Sequence, residues 1–568
     1  MKYILTVLKV LLLSGLHVFA NDTIQVPSNQ FFIDHSRKIV LTNLSVDYIN
    51  ATWTDTKTYV HLDEVYAFFP PIEYIDRGLE YKIIPPNNVN IYALYFTELP
   101  IIHITTSETI VDEPNVMANF KMIESNQNYI ESFVGIQYRG GFSQSFPKKS
   151  MEIEFHTDET AEDNVDYPLL GMRAEDKWNL QAMYNEPLRM RNKTNFELWR
   201  LINQLHYIQD EPQAINGVRM EYAEVFINNS YYGIYGVGEK INRKQLRLKN
   251  HNGQIRGELY KGDDWGITTF EGDLIPYSNY SDTWGGFEYK HPDEEIDWSN
   301  LYNFADFVMN APNEVFYENY ASKFSQDNLV DYFIFLNLLK MNDNTGKNLY
   351  IAKYTKDDVY FYVPWDLDGT FGIRYDGTQG SSNGKLENGF YKRLWHDCAE
   401  NGFYDKLNQK WHQLRNSTLT HYQLLAMFRQ NHDYLYHNGA YNREHLAWPD
   451  FEYSIDHLDY ISQWIDNRLN YLDVLFTQPC LSLAVAEIEM NANNYDVFPN
   501  PAKQNVSVIN KEGLPFSIQL YNNLGQLVKE QEMSTGSMQL SLDQINSGIY
   551  FLKISDEMHQ ETHKIIIE

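Results

Sequence analysis

Asp343 stands five residues before Asn348 in Met341-Asn-Asp-Asn-Thr-Gly-Lys-Asn348, and Asp366 and Asp368 follow in Val363-Pro-Trp-Asp-Leu-Asp-Gly-Thr-Phe-Gly372. Short oxygen-bearing side chains at these spacings suit a divalent cation that carries phosphate. Mg²⁺ takes oxygen ligands, keeps several waters, and is usually held by one or two carboxylates plus the substrate's phosphates. Each piece also has a plainer reading. Asn-Asp-Asn-Thr-Gly is an ordinary polar turn, because these residues supply turn conformations, and Asp-x-Asp-Gly is a common way to leave a sheet. The segment between them favours a site. Leu349–Tyr354 and Val359–Pro364 are β-prone runs that predict a strand pair, which would return Asp366 to Asn348.

Other elements must position this pair. Helical periodicity runs through 298–342, clearest from Leu329 to Leu339, and again through 405–476, where Leu458, Ile461, Ile465, Leu469 and Leu472 recur at 3–4 spacing. Upstream, Val134–Arg139 and Ser150–Phe155 read as paired strands around Gly140-Gly141-Phe-Ser-Gln-Ser-Phe-Pro-Lys-Lys149. Trp178-Asn-Leu-Gln-Ala reads as a strand leading into a helix from Pro187 to about Leu205, and residues 223–239 as a hairpin turning at Asn228-Asn229. Residues 21–96 form a β-rich module with no visible chemistry. From 494 to 568 a small β-sandwich is expected, with strands at Val506–Asn510, Phe516–Tyr521, Gly548–Ile554 and His563–Ile567. The fold class is α+β.

Composition removes several classes of function. At 568 residues the chain is too long for one ordinary domain. A net charge of −30 argues against a nucleic-acid partner and requires local cations around any polyphosphate ligand. Residues 1–20 read as a secretory signal: Lys2, an apolar stretch interrupted at Lys9, and Val18-Phe-Ala20 at the cleavage positions. No later run is long enough to anchor the mature chain in a membrane. Cys398 and Cys480, the two cysteines, could form one disulfide or remain independent buried thiols. His291 and His396 have no Ser or Cys partner at a recognisable spacing. A glycosidase pair of Asp366 and Asp368 is disfavoured, because residues two apart rarely flank one glycosidic bond at the needed separation of roughly 5–9 Å.

Residues from about Leu99 to Cys480 resemble the CotH family of atypical protein kinases, a domain drawn as 97–480. The matching pieces are Arg139-Gly-Gly-Phe-Ser-x-x-Phe-Pro-Lys-Lys149, Trp178-Asn-Leu with Arg189-x-Arg-Asn192, and Glu224-Val-Phe-Ile-Asn-x-x-Tyr-Tyr-Gly-Ile-Tyr. They continue through Glu239-Lys-Ile-Asn-Arg243, Leu259-Tyr-Lys261, Asp343-x-x-x-x-Asn348 and Val363–Gly372. The chain departs from the family in reading Arg-Gly-Gly-Phe-Ser where Arg-Gly-Asn-Ser is usual. In protein kinases a catalytic Asp precedes a metal-binding Asn by five residues, and a further Asp completes the metal site. Asp343, Asn348 and Asp366 keep that order, without the usual His-Arg before the first Asp.

The resemblance implies Mg²⁺- or Mn²⁺-dependent transfer of the γ-phosphoryl of ATP to Ser or Thr of exported proteins. In that reading Asp343 accepts the hydroxyl proton, while Asn348 and Asp366 hold the metal. Asp368 is either a further ligand or a turn residue. Arg139, Lys148 and Lys261 are candidate phosphate contacts, Glu239 a candidate partner for the phosphate-binding lysine, and at most one of Arg189 and Arg191 faces the cleft. The competing expectation is a non-catalytic surface adhesin or matrix protein on the same scaffold. The 494–568 unit resembles a type IX secretion sorting domain through Val497-Phe-Pro-Asn-Pro-Ala502, Ile518–Leu527 and Gly548–Ile554. That implies passage through the periplasm, type IX secretion machinery as a partner, and a secreted or surface location.

Overall fold

The computed structural model describes residues 22–480 and 495–568, apart from 54, 87–88, 125–127, 512–514, 524 and 557–559. The signal read at 1–20 and the stretch 481–494, where the last unit is expected to begin, lie outside the described residues. The chain divides into two compact units, with the boundary between Pro479 and Cys480. Cys398 and Cys480 are both disulfide-bonded, which decides between the two expectations for them.

The first unit opens on a seven-stranded sheet spanning Thr23 to Phe96, with its own core around Val40, Val60, Leu94 and Phe96. A smaller cluster joins it to the neighbouring strands: Ile39, Leu41 and Tyr95 pack with Ile101, Phe226 and Tyr231. Next comes a closed barrel of seven strands, in the order Tyr129–Tyr138, Met151–His156, Lys177–Gln181, Ser230–Gly238, Met220–Ile227, Ile101–Thr105 and Val116–Ile123. The hairpin expected at 223–239 supplies two of these strands, Met220–Ile227 and Ser230–Gly238. Its turn residues Asn228 and Asn229 have φ of 49° and 62°, the left-handed pair that a tight hairpin matching strand twist requires.

A five-stranded sheet then carries the predicted strand pair at one edge, in the order Thr283–Trp284, Phe287–His291, Glu258–Gly262, Leu349–Lys353 and Tyr360–Pro364. Its edge is covered by the Gln326–Leu339 helix, buried at every position from Asn328 to Leu339. A helix apolar all round belongs in a core, and two of its polar exceptions bond to neighbouring backbone. Asn328 donates to the Tyr362 carbonyl at 3.0 Å and accepts from the Tyr362 amide at 2.7 Å, standing in for the strand the edge lacks. Asn337 does the same for both backbone groups of Leu386.

Four further helices, Phe403–Arg415, His421–His437, Ala440–Ala447 and Asp456–Thr477, complete the unit, as the periodicity of 405–476 predicted. The helix expected from Pro187 is shorter, Arg191–Ile202, because Arg189 takes a left-handed conformation at φ 56° ahead of it. The second unit is a sandwich of a three-stranded and a four-stranded sheet around Val506, Val508, Leu520, Leu552 and Ile565. Among the described residues it has seven strands where four were expected. The additional ones are Tyr495–Phe498, Leu527–Thr535 and Ser537–Ser541, the last alternating, with Met538 and Leu540 buried.

Candidate active site

The strand pair does bring the two acidic segments together. Leu349 lies opposite Pro364 in the antiparallel register, so the residues just outside them, Asn348 and Trp365, meet, and the Trp365 amide donates to the Asn348 carbonyl at 3.0 Å. Asn348 and Asp366 both adopt left-handed backbone, φ 55° and 54°, a conformation Asn and Asp tolerate better than other residues with a Cβ. The turn swings both side chains off the sheet. Asp343 begins a short 3₁₀ turn, Asp343–Thr345, just after the buried Gln326–Leu339 helix. Asp343, Asn348, Asp366 and Asp368 line one pocket of about 130 Å³, together with Asn342, Gly369, Arg374 and Tyr375.

Two sets of polar contacts hold this pocket in shape. Buried Asn344 donates to the carbonyls of Asn348 (2.6 Å) and Trp365 (2.8 Å), while its own carbonyl receives the Tyr332 hydroxyl at 2.9 Å. One amide therefore ties the segment before the pair to the segment after it. The second set comes from the Arg191–Ile202 helix. Asn192 accepts the Leu367 amide at 2.7 Å, Asn195 donates to the Leu367 carbonyl at 2.9 Å, and Arg191 Nε donates to the Thr370 carbonyl at 2.9 Å. Arg191 is fully buried and ion-paired with Glu186. Of the two arginines, Arg191 is the one that reaches the acidic loop.

The carboxylates are electrostatically strained. Asp366 opens into the pocket, yet protein surrounds the pocket deeply enough to push its pKa up; Asp343 beside it adds repulsion, while Arg139, Lys261 and Lys347 pull the other way. Asp368 is raised to about 8, by burial first and by Asp366 second. Asp343 is raised by burial, with Lys347 opposing. A bound cation relieves such crowding, and the donors present, carboxylate and amide oxygens, are the hard ligands Mg²⁺ or Mn²⁺ takes. The residues fit the metal that the sequence implied.

Arg139, Lys148, Lys261 and Glu239, expected to serve the nucleotide, are not among the residues lining this pocket, but the charges of Arg139 and Lys261 act on Asp366. Arg139, at the end of a barrel strand, lies over the buried Trp365 ring at 5.5 Å and acts on Asp366. Lys261 pairs with Tyr350 across the sheet and holds Asp263 at 2.5 Å. Lys148 is fully buried, donating to Glu444 at 2.6 Å and to the Ile234 carbonyl at 2.5 Å, over the Tyr235 ring. Its apolar stem and the matching buried carboxylate draw it inward. Glu239 is likewise buried, accepting from Arg219 at 2.7 Å and 3.0 Å. Lys240, next to Glu239 in the chain, pairs with Glu152 at 2.6 Å.

Sequence reading passed over Lys347, Asn344 and Arg374. Lys347 lies inside the Asp343–Asn348 motif, four residues after Asp343, and could have been found by that spacing. Asn344 and Arg374 carry no signal outside the folded pocket. Among the described residues, the acidic group whose ligand atoms all lie within 4.8 Å of one another is Asp166, Glu175 and Asp176; the three carboxylates of the Asp366 pocket are not gathered that closely. The carboxylates of the Asp166 group already bind Arg173, Lys244 and Asn242.

A closed barrel followed by a mainly helical part, with an Asn and three carboxylates on the latter and a barrel arginine acting on Asp366, is an atypical kinase-like architecture. Residues 136–472 match the CotH kinase protein family and residues 496–568 the secretion system C-terminal sorting domain. The first match spans more than half of the chain, and the chain belongs to the CotH kinase family. No curated protein matches it. The sorting domain marks the chain for export to the cell surface or medium by type IX secretion machinery, and no helix among the described residues is long and apolar enough to cross a membrane.

Proposed function

We propose that this protein is an exported kinase that transfers the γ-phosphoryl of ATP to a Ser or Thr hydroxyl of another exported protein. The observation that carries the reading is the gathering of Asp343, Asn348, Asp366 and Asp368 in one pocket on which Arg139, Lys261 and Lys347 act. Asn348 and Asp366 would hold Mg²⁺ or Mn²⁺, with Asp368 a further ligand. Bound there, the metal would supply charge neutralisation at the phosphates. Arg139, Lys261 and Lys347 would orient the phosphate oxygens and offset their charge, which a chain of net charge −30 must do locally. Asp343 would position the acceptor hydroxyl and take its proton. Burial raises the pKa of Asp343 against the pull of Lys347, and so strengthens it as a proton acceptor. Trp365, buried under Arg139, keeps that guanidinium aimed at Asp366.

The reading is tested by incubating the purified protein with labelled ATP and Mg²⁺ or Mn²⁺, beside Asp343→Asn and Asp366→Ala. Label should reach Ser or Thr with the wild type and fall at least about a hundredfold in either variant. Transfer that survives Asp366→Ala would sink the metal assignment. The route we propose runs through the periplasm, so a chain lacking 495–568 should accumulate there. Normal surface display of that truncated chain would refute the route.

A further inference from the structure

A second cavity of about 140 Å³ adjoins the acidic pocket and shares Asn342 and Arg374 with it. Its charge is the opposite. Lys340 lines it, and the charges that act most on the Lys340 ammonium are Arg468 and Arg374, both cations. Lys340 and Arg468 have structural tasks at the end of the Gln326–Leu339 helix. Lys340 donates to the Asn383 carbonyl, and Arg468 Nε to the Asn337 carbonyl at 2.7 Å. Neither task supplies a counter-charge, and Arg468 Nη2 is buried with no hydrogen-bond partner. Arg374 has no such task. Among the described residues its side chain makes no hydrogen bond or ion pair. Arg374 is exposed, and its charge acts on Asp376, whose carboxylate accepts from the Thr378 amide and hydroxyl at 3.0 and 2.6 Å and is lowered in pKa by those bonds first and by Arg374 last.

The walls are built rather than incidental. Gly372 has φ of 89°, and a Cβ there would come within 2.8 Å of Trp464 and Tyr460. The Tyr460 hydroxyl donates to the Gly372 carbonyl at 2.7 Å, Trp464 Nε1 to Gly380 at 3.2 Å, and the Gly380 amide to Gly372 at 2.7 Å. The Asp456–Thr477 helix thus pins the loop that carries Arg374. A cavity of this size lined by Lys340 and Arg374, with no carboxylate in its wall, suits a phosphate or carboxylate group.

We propose that this cavity seats an anionic side chain of the acceptor polypeptide, acidic or already phosphorylated, close to the hydroxyl presented to Asp343. This rests on the kinase reading above. The nucleotide's own phosphates are the other source of such an anion, but Arg139, Lys261 and Lys347 already serve the Asp366 side of the site. The cavity lies on the Asn342 side and carries its own cations.

The test uses the full-length protein and fluorescent peptides with one Ser flanked by Asp or phosphoserine, by Ala, or by Lys. Anisotropy without nucleotide gives peptide affinity, and calorimetry with Mg²⁺-ATP gives nucleotide affinity separately. The anionic peptides should bind about 10- to 100-fold more tightly than the Ala peptide, the span of one charge-assisted contact. Arg374→Ala and Lys340→Gln should each reduce that preference, and Lys340→Gln should leave nucleotide affinity unchanged. Equal binding of all three peptides overturns the proposal. So does a Lys340→Gln protein that keeps the preference but loses nucleotide affinity, which assigns the anion to the nucleotide. Anion preference without any metal-dependent ATP binding would keep the cavity's role and remove the kinase reading instead.

Discussion

Replacing Asn344 by Ala isolates the tie between the two acidic segments without touching a candidate ligand. The substitution removes the donors to the Trp365 carbonyl (2.8 Å) and the Asn348 carbonyl (2.6 Å). Asn348 keeps one partner, the Trp365 amide at 3.0 Å, whereas no other donor to the Trp365 carbonyl is seen among the described residues. Leaving a buried carbonyl unpaired costs about 1–3 kcal/mol, and losing a second bond to a satisfied carbonyl about 0.5–1.5 kcal/mol. The sum, about 1.5–4.5 kcal/mol, leaves a folded protein but weakens this joint. Hydrogen exchange reads it locally: peptides covering 341–350 and 363–370 should lose roughly 10- to 1,500-fold of protection, at tenfold per 1.4 kcal/mol. Phosphoryl transfer should fall about a hundredfold, the usual consequence of misplacing reactive groups by about 1 Å. Protection within twofold of wild type, with transfer intact, would refute the view that Asn344 sets the site's geometry.

Two further predictions concern charge. In the buried group Lys148–Glu444–Arg189 two cations share one carboxylate. Glu444→Gln should therefore cost more than Lys148→Met, about 3–5 kcal/mol or above, because it strands both cations, whereas Lys148→Met leaves Arg189 paired. Denaturant midpoints that rank the two variants the other way would contradict this. Asp331 accepts from Asn203 at 2.9 Å and faces Lys410 at 2.9 Å, yet burial raises its pKa to about 6. The folded state holds that proton more tightly than the unfolded chain, whose Asp titrates near 3.9. This contribution is complete below about pH 4 and is lost as pH rises through 6, worth about 3 kcal/mol. Asp331→Asn should gain on wild type by that amount between pH 4 and 7, and a flat difference in denaturation midpoints would count against the assignment.

The acidic pocket was legible because its geometry is local. The Leu349–Lys353 and Tyr360–Pro364 strands alternate with a short turn, so their pairing, and hence the approach of Asn348 to Asp366, follows from sequence. The largely apolar Gln326–Leu339 helix was legible for the same reason. Lys148 and Glu239 went elsewhere because their partners, Glu444 and Arg219, lie 296 and 20 residues away, and a lysine's reach does not reveal which carboxylate it will meet. The closed barrel was hidden likewise. Its closure depends on Ile101–Thr105 pairing in parallel with Met220–Ile227 across more than a hundred residues, a contact no local pattern announces. Arg189 and Arg191 separated, one toward Glu444 and one toward the acidic loop, but not by helical geometry: Arg189 precedes the helix in a left-handed turn.

The central claim is that Asn348 and Asp366 hold a divalent cation beside Asp343. It is tested most directly by a crystal structure grown with Mn²⁺ and a non-hydrolysable ATP analogue, reading the anomalous signal of the metal. The account predicts a peak in the pocket, about 2.0–2.2 Å from oxygens of Asn348 and Asp366 as for a small octahedral cation, with the analogue's phosphates toward Arg139 and Lys347. A peak only at Asp166, Glu175 and Asp176, or a nucleotide bound away from Asp366, would contradict it.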